Sequence, residues 1–262
     1  RRKLAEALQY VADHQDTMEG FLLFDNYSKL LLPRKNFIPN SMCHIWQRGT
    51  SGSASTASQY TADQWKLYRT GATVTWAQAL VGVDGLPLVP SPQYANQFVV
   101  TSSTGSTNCA FVEFPIEQFH IFSGQPISFG VFAKAGSSKK LSIEATINFG
   151  SGGSSEVTGV GLKTFDLTTA WQWCSTEFTM PSFSSYTIGT TPTIKFRIWF
   201  DAGTSFTQSQ TGHQSGTFTL ARPYSVFGSG VSNMELETYS DTIIDCLRTY
   251  ETGKISWRAT TV

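Results

Sequence analysis

Charge is the scarcest commodity in this chain of 262 residues: only 15% of positions are Asp, Glu, Lys or Arg. The nineteen basic and nineteen acidic residues cancel, and the sequence pI is near 7.1. Binding to nucleic-acid phosphates needs a clustered excess of Lys and Arg. Its absence speaks against a nucleic-acid partner.

Cysteine is also sparse. Cys43, Cys109, Cys174 and Cys246 are far apart, form no CxxC pair, and have no histidine at zinc-ligand spacing. Neither a zinc site nor a dense disulfide framework is indicated, and reduced, buried thiols are expected. Clustered Asp and Asn ligands for calcium are absent, so no metal and no cofactor is assigned. No apolar run approaches the roughly eighteen residues of a membrane span, and "RRKLAEALQY" lacks the apolar segment of a secretory signal. The sequence therefore predicts no membrane insertion.

Catalytic patterns are missing as well. Glu113, Glu117, Glu144, Glu177 and Asp201 form no recognisable pair of the kind glycoside hydrolysis requires, and isolated acids on a sheet are expected to be solvated. There is no G-x-S-x-G elbow, and His14, His44, His120 and His213 stand apart from any nucleophile motif. The sequence reads as a non-enzyme with no catalytic residues.

What is abundant is Ser, Thr, Gly and aromatic side chains, the last at 13% of the chain. Such a balance fits a mainly β protein whose surface is covered by hydroxyls. Residues 1–35 are different. Leu4, Leu8, Val11, Gln15, Met18 and Leu22 are spaced alternately by four and three, the seam of a coiled coil. This predicts an N-terminal α-helical stalk, with Gln15 fixing register, or alternatively one amphipathic helix packed on its own domain. Pro33 and Pro39 end the helix and start a linker.

From residue 36 onward, short β-branched and aromatic runs alternate with Gly, Ser, Pro and Asn clusters, as in a two-sheet sandwich. Strands are predicted in "TVTWAQAL", "QFVVTS", "CAFVEFPI", "ISFGVFAKA", "KLSIEATINFG", "TEFTMP", "TIKFRIWFDAG" and "TFTLARPYSV", with "FGSGGSSEVTG" and "DAGTSFTQSQTGHQSG" as long loops. Leu141, Ile143, Ala145, Ile147 and Phe149 share one strand face, and Ile194, Phe196, Ile198 and Phe200 share another. Residues 236–246 carry a helical rhythm, and a last edge strand is predicted around Ile255 and Trp257.

Taken in order, "IWQRGTS", "YTADQWKL", "IEQFHIFSGQPISFGVFAKAGSSKKLSIEATINFGSGGSS", "LTTAWQWCSTEFTMP", "FRIWFDAG" and "CLRTYE" resemble bacteriophage and prophage tail-fibre proteins with a carbohydrate-binding-module-like jelly roll, over roughly residues 36–251. Where that family often reads Cys-Gln-Arg-Tyr-Tyr, this chain has Leu247 and Thr249 at the second and fourth positions. The resemblance implies a mainly β, jelly-roll sandwich over 36–262 behind the 1–35 stalk. It implies display on the virion as a tail fibre assembled in the host cytoplasm, self-association as a homotrimer, contact with other phage tail proteins, and adhesion to a host cell-surface polysaccharide. In that setting "IWQRG" is expected to be the first strand, with Arg48 leaving the core and Gly49 permitting a turn.

Sugars are held by aromatic faces stacked on C–H patches and by planar polar groups that read hydroxyls. Trp199 with Lys195, Arg197 and Asp201 supplies that combination on one strand face, although Trp199 could equally pack under a loop or against a neighbouring subunit. Trp76 shares a face with Val74, which favours core packing; Tyr94 and Tyr68 are secondary candidates near loops. Trp46, Trp65, Trp171 and Trp173 read as fold-shaping. The alternatives to adhesion are a structural fibre, collar or decoration component and, less favoured, a polysaccharide depolymerase.

Overall fold

The computed structural model describes residues 36–82, 86, 91–228 and 239–247. The larger of two compact units, Phe37–Gly230 with Leu236–Val262, contains a sandwich of two six-stranded antiparallel sheets with a jelly-roll-like arrangement. The predicted stalk, with Leu4, Leu8, Val11, Gln15, Met18 and Leu22, and the predicted last strand lie outside the described residues.

Twelve strands follow in chain order: β1 (Ser51–Ser53), β2 (Ser58–Tyr60), β3 (Lys66–Thr70), β4 (Thr73–Leu80), β5 (Tyr94–Thr101), β6 (Cys109–Ile116), β7 (Pro126–Ala135), β8 (Lys139–Asn148), β9 (Val157–Leu167), β10 (Gln172–Thr179), β11 (Thr193–Ala202) and β12 (Gly216–Phe227). The first sheet has the order β1-β4-β5-β12-β7-β10 and the second β2-β3-β6-β11-β8-β9. Alternation decides which residues meet between them. Leu141, Ile143, Ala145 and Ile147 of β8 and Ile194, Phe196, Ile198 and Phe200 of β11 face Phe129, Val131, Ala133, Phe218 and Leu220 of the first sheet in one apolar core. A 3-10 turn, Phe119–Phe122, closes one end: Phe119 stacks on Phe183 at 4.5 Å, and Phe122 lies 6.2 Å from Phe196. Burying each of these rings fully contributes roughly 1.5–3 kcal/mol, enough to order a turn with few backbone bonds of its own.

Three expectations are corrected. "IWQRG" is a turn rather than a strand. The Asn40 side chain donates to the carbonyls of Ile45 and Asp63 and accepts from the Ile45 N–H, so local side-chain bonds satisfy the backbone that a strand ladder would otherwise satisfy. Arg48 does leave the core, to the buried Asp63 carboxylate at 2.8 Å, and Gly49 adopts φ +100. Second, part of the predicted "FGSGGSSEVTG" loop belongs to β9. That strand hides in the sequence because Gly159 and Gly161, both at positive φ, bulge it and break its alternation. Third, Glu113, Glu144 and Asp201 are buried instead of solvated.

The segment read as helical is α1 (Tyr239–Leu247). Thr242 and Cys246 are buried, while Ile244 and Leu247 are exposed. Cys43, Cys109, Cys174 and Cys246 are all free and buried, as expected. Among the described residues, no helix is long and apolar enough to cross a membrane.

Candidate functional site: the outer face of the second sheet

Strand register lines up side chains on the outer face of the second sheet in two adjacent rows. Lys66 of β3 pairs with Glu113 of β6, Glu113 with Arg197 of β11, and Arg197 with Glu144 of β8, giving charges that alternate in sign across four strands. Two residues along the strands, Tyr68 pairs with Phe111, Phe111 with Trp199, Trp199 with Ser142 and Ser142 with Thr164, giving three aromatic rings followed by two hydroxyls. Opposite charges directly across an antiparallel pair attract, and aromatic neighbours pack, so each row stabilises the register that makes the other.

The charged row is a connected network. Arg197 lies 3.3 Å from Glu113 and 3.3 Å from Glu156, donates to the Thr146 hydroxyl at 3.1 Å, and sits 5.1 Å above the Phe111 ring. Lys66 reaches Glu113 at 3.2 Å, and Lys195 reaches Glu156 at 3.5 Å. A buried guanidinium without partners would be costly; with carboxylates and a hydroxyl its donors are satisfied.

Glu144 is the deepest member, with no exposed surface. Burial pushes its carboxyl from 4.5 up to about 7, against the Gly159 N–H, the Arg197 charge and the Trp199 indole, which pull it down. The Trp199 Nε1–H donates to Glu144 at 3.0 Å, and the Gly159 N–H donates to its other oxygen. The positive φ of Gly159 in the β9 bulge turns that N–H toward the carboxylate.

Trp199 is fully buried, with ring centroids 4.4 Å from Phe111 and 5.3 Å from Phe206. The loop between β11 and β12 supplies Phe206, and it is fastened in several places. The Gln210 N–H donates to Ser142, the Ser205 N–H to the Ser106 carbonyl, and the Ala202 N–H to the Gly212 carbonyl. Trp199 therefore forms the floor under that loop and presents no open stacking face. The outermost aromatics of this face are Tyr68 at the end of the row, half-buried and stacked 4.8 Å from Phe111, and the half-buried Phe206 of the loop. With Lys66, Lys195 and Glu156 they form the rim.

The structure thus brings together Trp199, Arg197, Lys195 and Tyr68 from the sequence candidates. Asp201 is not in the rows: a bulge after Trp199 shifts the register, and its carboxylate accepts from Ser102 at 2.7 Å and the Gln214 N–H at 2.8 Å, with His213 Nδ1 at 3.2 Å. Trp76 and Tyr94 belong to the first sheet. Trp76 is buried against Trp46, ring centroids 6.1 Å apart, and Tyr94 packs on the core, so neither joins this face. Sequence reasoning missed Phe111, Phe206 and Gly159, and read Glu113 and Glu144 as solvated acids. The register that joins four strands sets those neighbours, and alternation within one strand does not reveal it. Among the described residues no three His, Cys, Asp or Glu side chains form a group able to hold a metal ion.

The sequence matches no protein-family model and no curated protein. Similar solved structures include the enzymatically active domain of bacteriophage CBA120 tailspike protein 4, at 14% identity and TM-score 0.38, over 63% of this chain and 19% of that one. A family 11 carbohydrate-binding module from Clostridium thermocellum, in complex with a β-1,3-1,4-mixed-linked tetrasaccharide, is 11% identical with TM-score 0.41, over 69% of this chain and 98% of that one. The CBM22-1 xylan-binding domain from Paenibacillus barcinonensis Xyn10C is 9% identical with TM-score 0.38, over 76% and 98%. Likeness at this level is a matter of fold and carries no argument about what this chain binds.

Proposed function

We propose that this protein binds a glycan, without cleaving it, on the outer face of the second sheet. The observation that carries the reading is the pair of cross-strand rows, which set aromatic carbon beside a fixed lattice of charged donors and acceptors. The rim residues Tyr68 and Phe206 offer ring surface to sugar C–H groups, and Lys66, Lys195 and Glu156 can read hydroxyls. Arg197, Glu113, Glu144 and Trp199 hold the floor beneath them, so the rim is prepared before a ligand arrives.

Cleavage would need two carboxylates that reach the substrate and exchange protons with it. Glu113 and Glu144 flank Arg197 on one row, but both are buried and engaged, Glu144 on both oxygens. The binding reading fits that arrangement better than hydrolysis does.

The biological setting follows from the sequence resemblance: a receptor-binding part of a phage tail fibre, homotrimeric, recognising a polysaccharide on the host surface. Three weak sites on one rigid object raise avidity without new contacts. Incubation of the purified protein with host cells and with their extracted surface polysaccharide, with polymer length followed by size-exclusion chromatography, tests the reading. Saturable binding with intact polymer is expected. Shortened polymer would overturn the non-cleaving reading, and absence of binding would favour a structural virion component.

A further inference from the structure

The opposite side of the sandwich holds a second aromatic feature. Trp173 of β10 pairs with Phe132 of β7, ring centroids 4.8 Å apart, and its six-membered ring is seated on Gly130, where any Cβ would collide with it. Continuing the pairing of Gln172 with Ala133 places Trp171 beside Lys134, whose Nζ lies 4.8 Å from the centre of the Trp171 ring. Both indoles are half-buried on the outer face of the first sheet, with N–H groups that are buried and that meet no hydrogen-bond partner among the described residues. What they offer to solvent is therefore carbon.

From this pair a row crosses the sheet in which Thr219 is buried, Gln97 and Ala77 are half-buried and Ser51 is exposed. Lys134 pairs with Thr219 of β12, Thr219 with Gln97 of β5, Gln97 with Ala77 of β4, and Ala77 with Ser51 of β1. Five strand spacings make the strip about 24 Å long. Beside it Thr73, Thr75 and Thr101 are exposed, Thr217 is half-buried, and Val99, paired with Thr75 and Thr217, is the exposed apolar side chain among them. A protein partner's interface would centre on apolar side chains and disfavour Ser and Lys. A hydroxyl- and amide-bearing strip ending in two indoles suits an extended saccharide chain.

The charge around the indoles narrows the ligand. Lys140 is offset by Asp166 at 2.9 Å. Lys134, Lys139 and Lys163 meet no carboxylate among the described residues: Lys134 lies over Trp171, Lys139 runs along Gly216 at the start of β12, and Lys163 donates to the Ser175 carbonyl of β10 at 3.0 Å. Lys134 lies on this outer face beside the indoles, whereas Lys139 and Lys163 pair with the core residues Leu167 and Ile143 and so start from the inner face of the second sheet.

We propose that the outer face of the first sheet is a second saccharide site, distinct from the rows on the second sheet, which takes a chain carrying carboxylate groups. Trp171 and Trp173 stack on its sugar rings, and Lys134 pairs with its carboxylates. Retention in native gels containing polygalacturonic acid, or dextran as an uncharged polymer, tests the assignment. The wild-type protein is expected to be retarded by polygalacturonic acid at least tenfold more strongly than by dextran. Trp171→Ala and Lys134→Gln should each weaken that retardation at least fivefold with the near-ultraviolet circular dichroism of a folded core. Trp173→Ala is the less useful variant because it uncovers Phe132. Equal retardation by the two polymers would overturn the carboxylate preference, and no retardation by polygalacturonic acid would overturn the site. If the retardation is lost in Tyr68→Ala and kept in Trp171→Ala, the polymer sits on the second sheet and the inference falls.

Discussion

Replacing Trp199 separates a floor residue from a contact residue. The side chain is fully buried between Phe111 and Phe206, and its indole N–H donates to Glu144. Trp199→Ala removes the ring and leaves a cavity, which costs about 3–5 kcal/mol. It also removes one partner of a buried carboxyl, which adds about 1–3 kcal/mol. A loss of at least about 4 kcal/mol is expected, and at about 2–4 °C per kcal/mol for a domain of this size the melting temperature should fall by at least about 8–16 °C. Trp199→Phe keeps most of the packing and loses only the donor, so its cost should be about 1–3 kcal/mol. Urea titrations of the three proteins, with glycan binding measured on each while folded, give both numbers. On the proposed account, Trp199→Phe keeps its glycan affinity within about threefold because Tyr68 and Phe206 make the outer contacts. A Trp199→Ala variant destabilised by less than about 1 kcal/mol, or a Trp199→Phe variant that folds normally and loses binding altogether, would refute the assignment of Trp199 to the floor.

Three further outcomes are expected. Because burial raises the Glu144 carboxyl from 4.5 to about 7, the folded state binds the proton more tightly than the unfolded chain; its contribution is complete below pH 4.5 and is lost as pH rises through 7. The loss reaches about 3 kcal/mol. Glu144→Gln should flatten that decline in urea titrations between pH 5 and 8, and an unchanged slope would contradict the burial argument. Gly161→Ala forces a Cβ onto the Phe178 ring at a positive φ, and should cost more than about 2 kcal/mol by thermal unfolding; a neutral result would show that β9 can relax there. Burial pushes the Cys109 thiol up to about 11 and the Cys174 thiol up to about 12, so neither should react with a disulfide reagent at pH 8 until denaturant is added. Rapid modification of either in the native protein would show that its strand opens.

Much of the sandwich was legible because its strands alternate. The run from Thr73 to Leu80 and the run from Cys109 to Ile116 are strands with the bounds that their β-branched and aromatic residues suggest. β9 was not, since its glycines serve a bulge that only the neighbouring Glu144 and Phe178 explain. The candidate site was half legible. Alternation put Lys195, Arg197 and Trp199 together on the outer face of β11, but outward from the core did not mean exposed. Long neighbours on β6 and β8, and a loop anchored through Gln210 and Ser205, cover that face. Glu113 and Glu144 looked like solvated acids for the same reason: the pairing with Arg197 arises from register, and register spans residues 84 and 53 positions apart.

The most direct test is an amide chemical-shift titration of the isotope-labelled protein with oligosaccharides cut from the host surface polysaccharide. The account predicts saturating shifts that cluster on Lys66, Tyr68, Lys195 and the loop around Phe206. Saturating shifts that leave those residues unmoved, or no shifts at all, would contradict glycan binding on the outer face of the second sheet.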